Sequence, residues 1–137
     1  VRRFERTDQA VAMAAMFLSA QVEPRAIVAL TESGATAQWL SRFRSPVPIY
    51  ALSRRQAALR RMLLLRDVFP VEFDPHGVDA AHAAKAAIQH LFNQSRLSEG
   101  DRVILTHGDH TGQRGGTNTL KLLGVGAGGV AEGLGDL

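Results

Sequence analysis

Residues 26–36 read AIVALTESGAT, an apolar run followed by a hydroxyl-rich loop that contains one glycine. A helix-like pattern through Trp39 and Leu40 follows directly. A strand that passes through such a loop into a helix presents free backbone N–H groups, which attract anions. Ser and Thr also cap helices for purely structural reasons, so the motif alone leaves both roles open. The functional interpretation is phosphate capture, with the candidate residues Thr31, Glu32, Ser33, Gly34, Ala35 and Thr36.

The composition of the 137 residues, 45% hydrophobic and 21% charged, is that of one globular domain with a real core. The absence of cysteine excludes disulfides, thiolate metal sites and cysteine catalysis, and fits a cytoplasmic location. The longest apolar stretches are too short for a membrane span, so no membrane partner is expected. Arginines cluster, but the formal net charge is only +3 and aromatic residues are few, which favours solvated helix faces over nucleic-acid binding. The chain begins with Val1, and we interpret it as a fragment of a longer protein.

Strands and helices alternate along the chain. Hydrophobic periodicity predicts strands at 26–30, 49–52, 68–73, 102–106 and 118–125. It predicts helices from about residue 7 to residue 18, over 35–43, from Ser53 through Leu63, and over 78–92. This alternation predicts the α/β class, as a three-layer α/β/α sandwich around a five-stranded, mostly parallel sheet.

Local features refine this fold. The glycine-rich loop between the last two strands is too short for a parallel crossover, which predicts that the fifth strand is antiparallel. Pro70 predicts a strand end or an edge position. Apolar residues on adjacent faces of the first helix predict burial between layers. The capping-box form of residues 53–56, a serine followed three residues later by a glutamine, predicts the start of the third helix. Residues 1–125 are predicted to form the domain, and 126–137 a glycine-rich, flexible tail.

Polar segments follow three of the predicted strands. Ligands of open α/β sheets bind at the carboxyl ends of the strands, so we expect these segments to meet there. Arginine guanidinium groups bind phosphate through charge-assisted hydrogen bonds, and a glycine loop can close over a ligand. The segments after the second and fourth strands contribute the candidates Ser53, Arg54, Arg55, Arg114 and Gly115. A phosphorylated small molecule is the predicted ligand.

Other chemistries find less support. His107, Asp109 and His110 are possible metal ligands, but they lie in a glycine loop without a spacing such as HExxH, so no metal site is predicted. Ser33 lacks the GxSxG elbow, and neither a Walker P-loop nor a GxGxxG fingerprint is present. We therefore predict no catalytic residue in this chain.

Six segments, taken together in order and spacing, resemble the C-terminal domain of pyruvate kinase, with the bacterial branch the most similar. Each segment is weakly specific alone, and the set runs from about residue 4 to residue 125. The segments are 5–14, 26–34, 48–54, 69–71, 100–104 and 115–119.

The resemblance implies the regulatory part of a glycolytic kinase that makes pyruvate and ATP from phosphoenolpyruvate and ADP. In that family the active site, with its magnesium and potassium ions, lies in a separate (β/α)8 barrel. The isolated chain is therefore expected to be inactive and to carry no cofactor. The family is typically a homotetramer in which this domain supplies one interface. An exposed fifth strand could pair there, and the isolated chain could form a dimer.

The resemblance also implies an effector pocket. The 31–36 loop matches the loop that holds a sugar phosphate in allosteric members, and residues 107–116 match the loop that closes over the effector. His76 and Ala83 stand where animal-type members carry the tryptophan and arginine that bind a second phosphate. This favours a monophosphate such as glucose 6-phosphate, ribose 5-phosphate or AMP.

Three alternatives remain open at this point. The domain could be a structural, tetramer-forming unit with a vestigial pocket. It could be a stand-alone phosphate-binding module or enzyme of flavodoxin-like architecture. Arginine-driven nucleic-acid binding is the most distant of the three.

Overall fold

A computed structural model describes residues 2–75, 77–108 and 116–133 of the chain. Its helices are α1 (Arg2–Val22), α2 (Ala35–Arg42), α3 (Gln56–Met62) and α4 (Ala80–Asn93). Its strands are β1 (Ala26–Leu30), β2 (Ile49–Ser53), β3 (Val68–Glu72), β4 (Arg102–Gly108), β5 (Thr117–Val125) and β6 (Ala131–Glu132). A short 3-10 turn, Ala127–Gly129, joins β5 to β6.

The strands form one mixed sheet in the order β3-β2-β1-β4-β5-β6. β1 lies in the middle and pairs in parallel with both β2 and β4, where Ile27 is opposite Ile49 and Ile104. β5 runs antiparallel to β4, and this prediction is confirmed. The α/β class and the mostly parallel sheet are also confirmed, but the predicted number of five strands was wrong because β6 adds a sixth.

β6 lies in the segment that the composition assigned to a flexible tail. Of that segment the structure describes 126–133, where the Gly126 N–H donates to the Val130 carbonyl (2.7 Å). Gly128 and Gly129 both have positive φ, and a Cβ on Gly129 would lie 2.6 Å from the Phe92 ring. The glycines therefore permit a tight reversal against α4, which returns the chain to the edge of β5.

Helices cover the two faces of the sheet unequally. α4 packs on one face, where Ile88 joins Val28 and Leu105 in a buried cluster. α1, α2 and α3 pack on the other face, around Ile27 and Ile104. The layers are thus less regular than the predicted three-layer sandwich, since one face carries three helices and the other a single helix with the short 3-10 turn.

α1 differs from its prediction in length and burial. It begins at Arg2 rather than near residue 7, and its buried stripe is Asp8, Ala12, Ala15 and Ser19. Met13 and Phe17 are 53% and 71% exposed, so the prediction of a helix buried between layers was wrong. The apolar residues extend around the helix, but the fully buried ones form a stripe that repeats every three or four residues, with Met16 and Leu18 partly buried beside it.

The predicted capping box was also wrong. β2 continues through Ser53, so Arg55 becomes the N-cap of α3 and makes no side-chain cap. The Ser53 hydroxyl instead accepts from the Arg55 N–H (3.1 Å), and the Gln56 side chain bonds to Glu72.

Pro70 lies in β3, which is an edge strand as predicted. The Phe73 N–H donates to the Ser53 carbonyl in β2, so by backbone alternation the nitrogen of Pro70 faces the free edge, where a missing N–H costs nothing. None of the helices in the described ranges is long and apolar enough to span a membrane.

Candidate ligand cavity at the carboxyl edge of the sheet

A concave site opens where β1, β2 and β4 end. Small-molecule ligands of open α/β sheets bind in such sites at the carboxyl edge. Six of the predicted site residues line it: Thr31, Glu32, Ala35, Thr36, Ser53 and Arg54. Gly108, Gly116 and Thr117 close one side. The segments predicted to meet after β1 and β2 do meet here.

The 31–36 loop forms a compact turn before α2. The Thr31 hydroxyl accepts from the Gly34 N–H (3.0 Å), and the Ser33 hydroxyl accepts from the Ala35 N–H (3.2 Å). Gly34 adopts φ 89°, a left-handed conformation that a residue with a side chain rarely takes. A Cβ at that position would also lie 3.0 Å from the Met62 side chain of α3. The loop is thus shaped by its own hydroxyls and by α3.

The start of α2 leaves N–H groups without helical acceptors. The Gln38 N–H is the first to bond back along the chain, to the Gly34 carbonyl (3.0 Å). The N–H groups of Thr36 and Ala37 precede the first full turn and have no intrahelical partner. Together with the helix dipole, they make this end of the cavity attractive to an anion.

Thr36 links the loop to β5. Its hydroxyl donates to the Thr117 hydroxyl (2.7 Å), and both residues are buried. Thr36 lines the cavity, but its hydroxyl is committed to this bond, so its contribution to a ligand would come from the backbone N–H rather than from the oxygen.

Glu32 holds both of the predicted arginines. Its carboxylate accepts from Arg54 Nε (3.1 Å) and from Arg55 Nε (2.7 Å). The two arginine side chains are 40% and 46% exposed, so each ion pair stabilises the fold by at most about 1 kcal/mol. The cluster keeps one net positive charge, and a phosphate can compete with Glu32 for these guanidinium groups at small cost.

Residues that the sequence reasoning missed complete the surroundings. Arg61 donates from Nη2 to the Ser33 carbonyl (3.1 Å) and so fixes the loop from α3. The wall opposite the loop is apolar: Phe73, Pro75 and Ala80 were not predicted, whereas Ala83 is the residue that the resemblance placed at the second-phosphate position. Their position after β3 and at the start of α4 was the available signal, but apolar residues carry no motif.

His107 also lines the cavity; the sequence raised it as a possible metal ligand and as the first residue of the loop that matches the effector-closing loop of the family. Arg114 and Gly115 lie outside the described residues, as do Asp109, His110 and His76. Within the described ranges no cluster of three or more His, Cys, Asp or Glu side chains could hold a metal ion.

Asp8 lies behind this edge of the sheet. It is 3% exposed, accepts a hydrogen bond from the Thr117 backbone, and has one carboxylate oxygen without a partner. Burial raises the pKa of this carboxyl to about 6, while the Thr117 N–H acts in the opposite direction. The sequence placed Asp8 at a helix start, whereas it lies inside α1 and supports the first residue of β5.

Comparison with known protein families identifies one family whose profile matches this sequence. The family profile described as the alpha/beta domain of pyruvate kinase matches residues 9–123. The chain belongs to this family. The resemblance predicted from the sequence segments is therefore confirmed.

Individual pyruvate kinases match over most of the chain. Pyruvate kinase II of Salmonella typhimurium is 40% identical over 124 residues, which cover 90% of this chain and 26% of that protein. A pyruvate kinase of Buchnera aphidicola is 39% identical over 89% of this chain and 25% of its own length. One from Thermoplasma acidophilum is 28% identical over 85% of the chain and 21% of its own length. The chain spans about a quarter of the length of these relatives.

Proposed function

We propose that this chain is the effector-binding, regulatory part of a pyruvate kinase, and that its cavity binds a small molecule with one phosphate group. The observation that carries the proposal is the 31–36 loop. It brings the α2 N-terminus, the Thr31 hydroxyl and the neighbouring Arg54 to one end of a cavity at the carboxyl edge, and the Ser33 hydroxyl, which does not line the cavity, shapes the same loop through its bond to the Ala35 N–H.

The phosphate would sit against the N-terminus of α2. The N–H groups of Thr36 and Ala37 are available there, and the hydroxyls of Thr31 and Ser33 are held only by local bonds. Arg54 and Arg55 can exchange Glu32 for the phosphate, because exposed ion pairs are weak. A dianionic phosphate then gains charge-assisted hydrogen bonds that the carboxylate now occupies.

The opposite wall favours a monophosphate over a bisphosphate. Phe73, Pro75, Ala80 and Ala83 line it and offer no positive charge. A second phosphate placed there would lose its hydration without a counter-charge from these residues, which is costly. Glucose 6-phosphate, ribose 5-phosphate and AMP remain the candidate effectors.

The catalytic part of the enzyme would lie in the rest of a longer chain. Relatives about four times as long carry the name pyruvate kinase, and the reaction from phosphoenolpyruvate and ADP to pyruvate and ATP is proposed for the whole protein on that basis. Magnesium and potassium, which the family resemblance places in the catalytic barrel, are proposed for that remainder. The isolated chain is expected to be inactive, and the whole enzyme to work in the cytoplasm.

Homo-oligomerisation through β5 is part of the proposal. β6 pairs only with Gly124 and Val125, which leaves residues 119–123 of that strand edge without a strand partner in the described parts of the chain. Leu122 on β5 is 40% exposed. A second copy could extend the sheet along this edge, giving a dimer of the isolated chain and a tetramer of the full enzyme.

Isothermal titration calorimetry with glucose 6-phosphate, ribose 5-phosphate, AMP, fructose 1,6-bisphosphate and inorganic phosphate tests the cavity. One monophosphate is expected to bind more tightly than inorganic phosphate. The double variant Thr31→Ala/Ser33→Ala is expected to weaken that binding about 100-fold, or 2.7 kcal/mol, through two lost hydroxyl contacts and a less ordered loop.

Ser45→Ala is the matched control. Ser45 makes a similar local turn, accepting from the Val47 N–H (3.2 Å), but it does not line the cavity. The Ser45→Ala variant should bind the monophosphate with the same affinity as the unmodified chain. Equal binding by the double variant would contradict the role assigned to the loop.

A structural domain with a vestigial pocket is the second candidate. It is favoured by the pairing of Glu32 with both arginines and by the commitment of the Thr36 hydroxyl to Thr117. If none of the five probes binds, this second function replaces the first.

A further inference from the structure

His107 combines burial with an unused polar atom. It is the penultimate residue of β4, is 4% exposed, and has no hydrogen-bond partner for Nε2. Leu105, two residues earlier on the same strand, packs in the cluster beneath α4. Strand alternation therefore places the imidazole on the α4 side of the sheet, the side of the cavity that it lines.

The other ring nitrogen fixes the chemistry of Nε2. His107 Nδ1 lies 2.8 Å from the Gly108 carbonyl oxygen, which can only accept, so Nδ1 carries the proton and donates. In a neutral imidazole Nε2 is then a hydrogen-bond acceptor. A partner for it must bring a donor, such as a hydroxyl or an amine.

His107 differs in its location from the other buried residues that have an unpaired polar side-chain atom. Asp8, Ser19, Thr106 and His107 are the four residues in the described ranges that bury a polar side-chain atom without a partner. Of these four, His107 is the one that lines the cavity. Buried polar atoms are nearly always hydrogen-bonded in native proteins, so an exception at a cavity points to a ligand group.

We propose that His107 Nε2 accepts a hydrogen bond from a hydroxyl or amine N–H on the non-phosphate part of the ligand. The cavity would then select hydroxyl- or amine-bearing phosphate esters over phosphates that lack such a donor. This inference rests on the proposed function of the same cavity. Because Nε2 is buried without ligand, it includes a local shift of the ring or of the backbone beside Gly108 when the ligand enters.

The arrangement divides recognition between two ends of the cavity. The 31–36 loop and Arg54 would bind the phosphate, and His107 would accept a hydrogen bond from the non-phosphate part of the ligand. A single hydrogen bond to a buried acceptor that would otherwise stay unpaired discriminates by about tenfold in affinity.

Two substitutions separate the two ring nitrogens. His107→Asn places an amide nitrogen near the position of Nδ1 and removes the acceptor at Nε2. His107→Gln places an amide oxygen near Nε2 and gives up the bond to Gly108. Calorimetric titration of both variants and the unmodified chain would use glucose 6-phosphate, ribose 5-phosphate and, as the probe without a donor, methyl phosphate.

The unmodified chain is expected to bind at least one sugar phosphate about ten times more tightly than methyl phosphate. His107→Asn should lose that tenfold preference while its affinity for methyl phosphate stays within twofold. His107→Gln should keep most of it. In a 15N-labelled sample, the His107 Nε2 resonance should move with the sugar phosphate and not with methyl phosphate, a readout that needs no variant to fold.

Three results would overturn the inference. If the unmodified chain binds methyl phosphate and the sugar phosphates equally well, the role of His107 is refuted and the phosphate site remains. If the His107→Asn variant keeps the full tenfold preference for the sugar phosphate, the role of His107 is likewise refuted. An unmodified chain that binds none of the probes overturns the proposed function, and the inference with it.

Discussion

At the carboxyl edge of the sheet the protein buries polar side chains, whereas at the amino edge it exposes them. The carboxyl edge holds the buried residues Asp8, Thr36, Ser53, Thr106, His107 and Thr117. The amino edge is a shallow surface where charged Glu23, Arg25 and Arg102 are exposed among prolines. Ser19, near the end of α1, is the buried polar residue on that side.

The two edges differ in how much free energy of folding their polar side chains cost. Each buried polar group without a partner costs about 1–3 kcal/mol, and Asp8, Thr106 and His107 all have such an atom at the carboxyl edge. The amino side has one such group, the Ser19 hydroxyl, and the Val22 carbonyl there accepts from Arg102 (2.8 Å). Three of the four unpaired groups in the described residues thus lie at the carboxyl edge, as expected of an edge that serves binding.

Among the carboxyl groups, Asp8 is expected to show the strongest dependence of stability on pH. Burial raises the pKa of its carboxyl from 3.8 to about 6, so the folded state holds the proton more tightly than the unfolded chain. Its stabilising contribution is therefore complete below pH 3.8 and is lost as the pH rises through 6. Asp8→Asn should raise the free energy of unfolding above pH 6, relative to the unmodified chain, by up to about 3 kcal/mol. Urea denaturation at pH 4, 5, 6 and 7 measures the growth of this difference.

Asp79→Asn is the control for that series. Asp79 caps α4 by accepting from the His82 N–H (2.8 Å), and this bond lowers the pKa of its carboxyl. Its contribution is present above the unfolded pKa and is lost at lower pH, so the variant should be less stable near neutrality. An Asp8→Asn variant that loses stability at pH 7 would show that the carboxylate supports the fold.

Gly129 lies in the turn at the amino edge, where we expect a substitution to change stability but not ligand binding. It has φ 88°, and a Cβ would lie 2.6 Å from the Phe92 ring. Gly129→Ala is expected to cost about 2–4 kcal/mol through backbone strain and the clash, with no change in ligand affinity. Gly128 has φ 71°, but the space around it is open. Gly128→Ala should therefore lower the free energy of unfolding by only about 1 kcal/mol. Equal losses in the two denaturation curves would mean that α4 and the turn adjust to the added methyl group.

Glu32 gives the smallest expected effect. Glu32→Gln removes the negative charge that pairs with Arg54 and Arg55, so inorganic phosphate should bind about threefold more tightly, by roughly 0.6 kcal/mol. The free energy of unfolding should change by less than about 1 kcal/mol, because the arginines are exposed. Glu99→Gln, at an exposed position that does not line the cavity, should leave both quantities unchanged. Weaker phosphate binding by the Glu32 variant would show that the carboxylate positions the arginines for the ligand.

Local patterns accounted for most of the elements. The predicted range of β1, 26–30, is the observed one, and the edge position of β3 followed from Pro70. The predictions were wrong where one local sequence pattern is compatible with two different structures. Ser53 and Gln56 have the spacing of a capping box, yet Ser53 ends a strand and Gln56 bonds to Glu72. Glycines after Val125 suggested flexibility, but Gly129 serves a close approach to Phe92.

The α/β class, the polar segments at the carboxyl edge and the family could be predicted from the amino-acid sequence, because they depend on periodicity and on ordered local motifs. The pairing of Glu32 with both arginines, the burial of Asp8 behind Thr117 and the unpaired nitrogen of His107 at the cavity became visible in the folded protein. Thr36 and Thr117, which share a hydrogen bond, lie 81 residues apart in the chain. Burial and partners of this kind are set by packing between distant elements, and no local pattern encodes them.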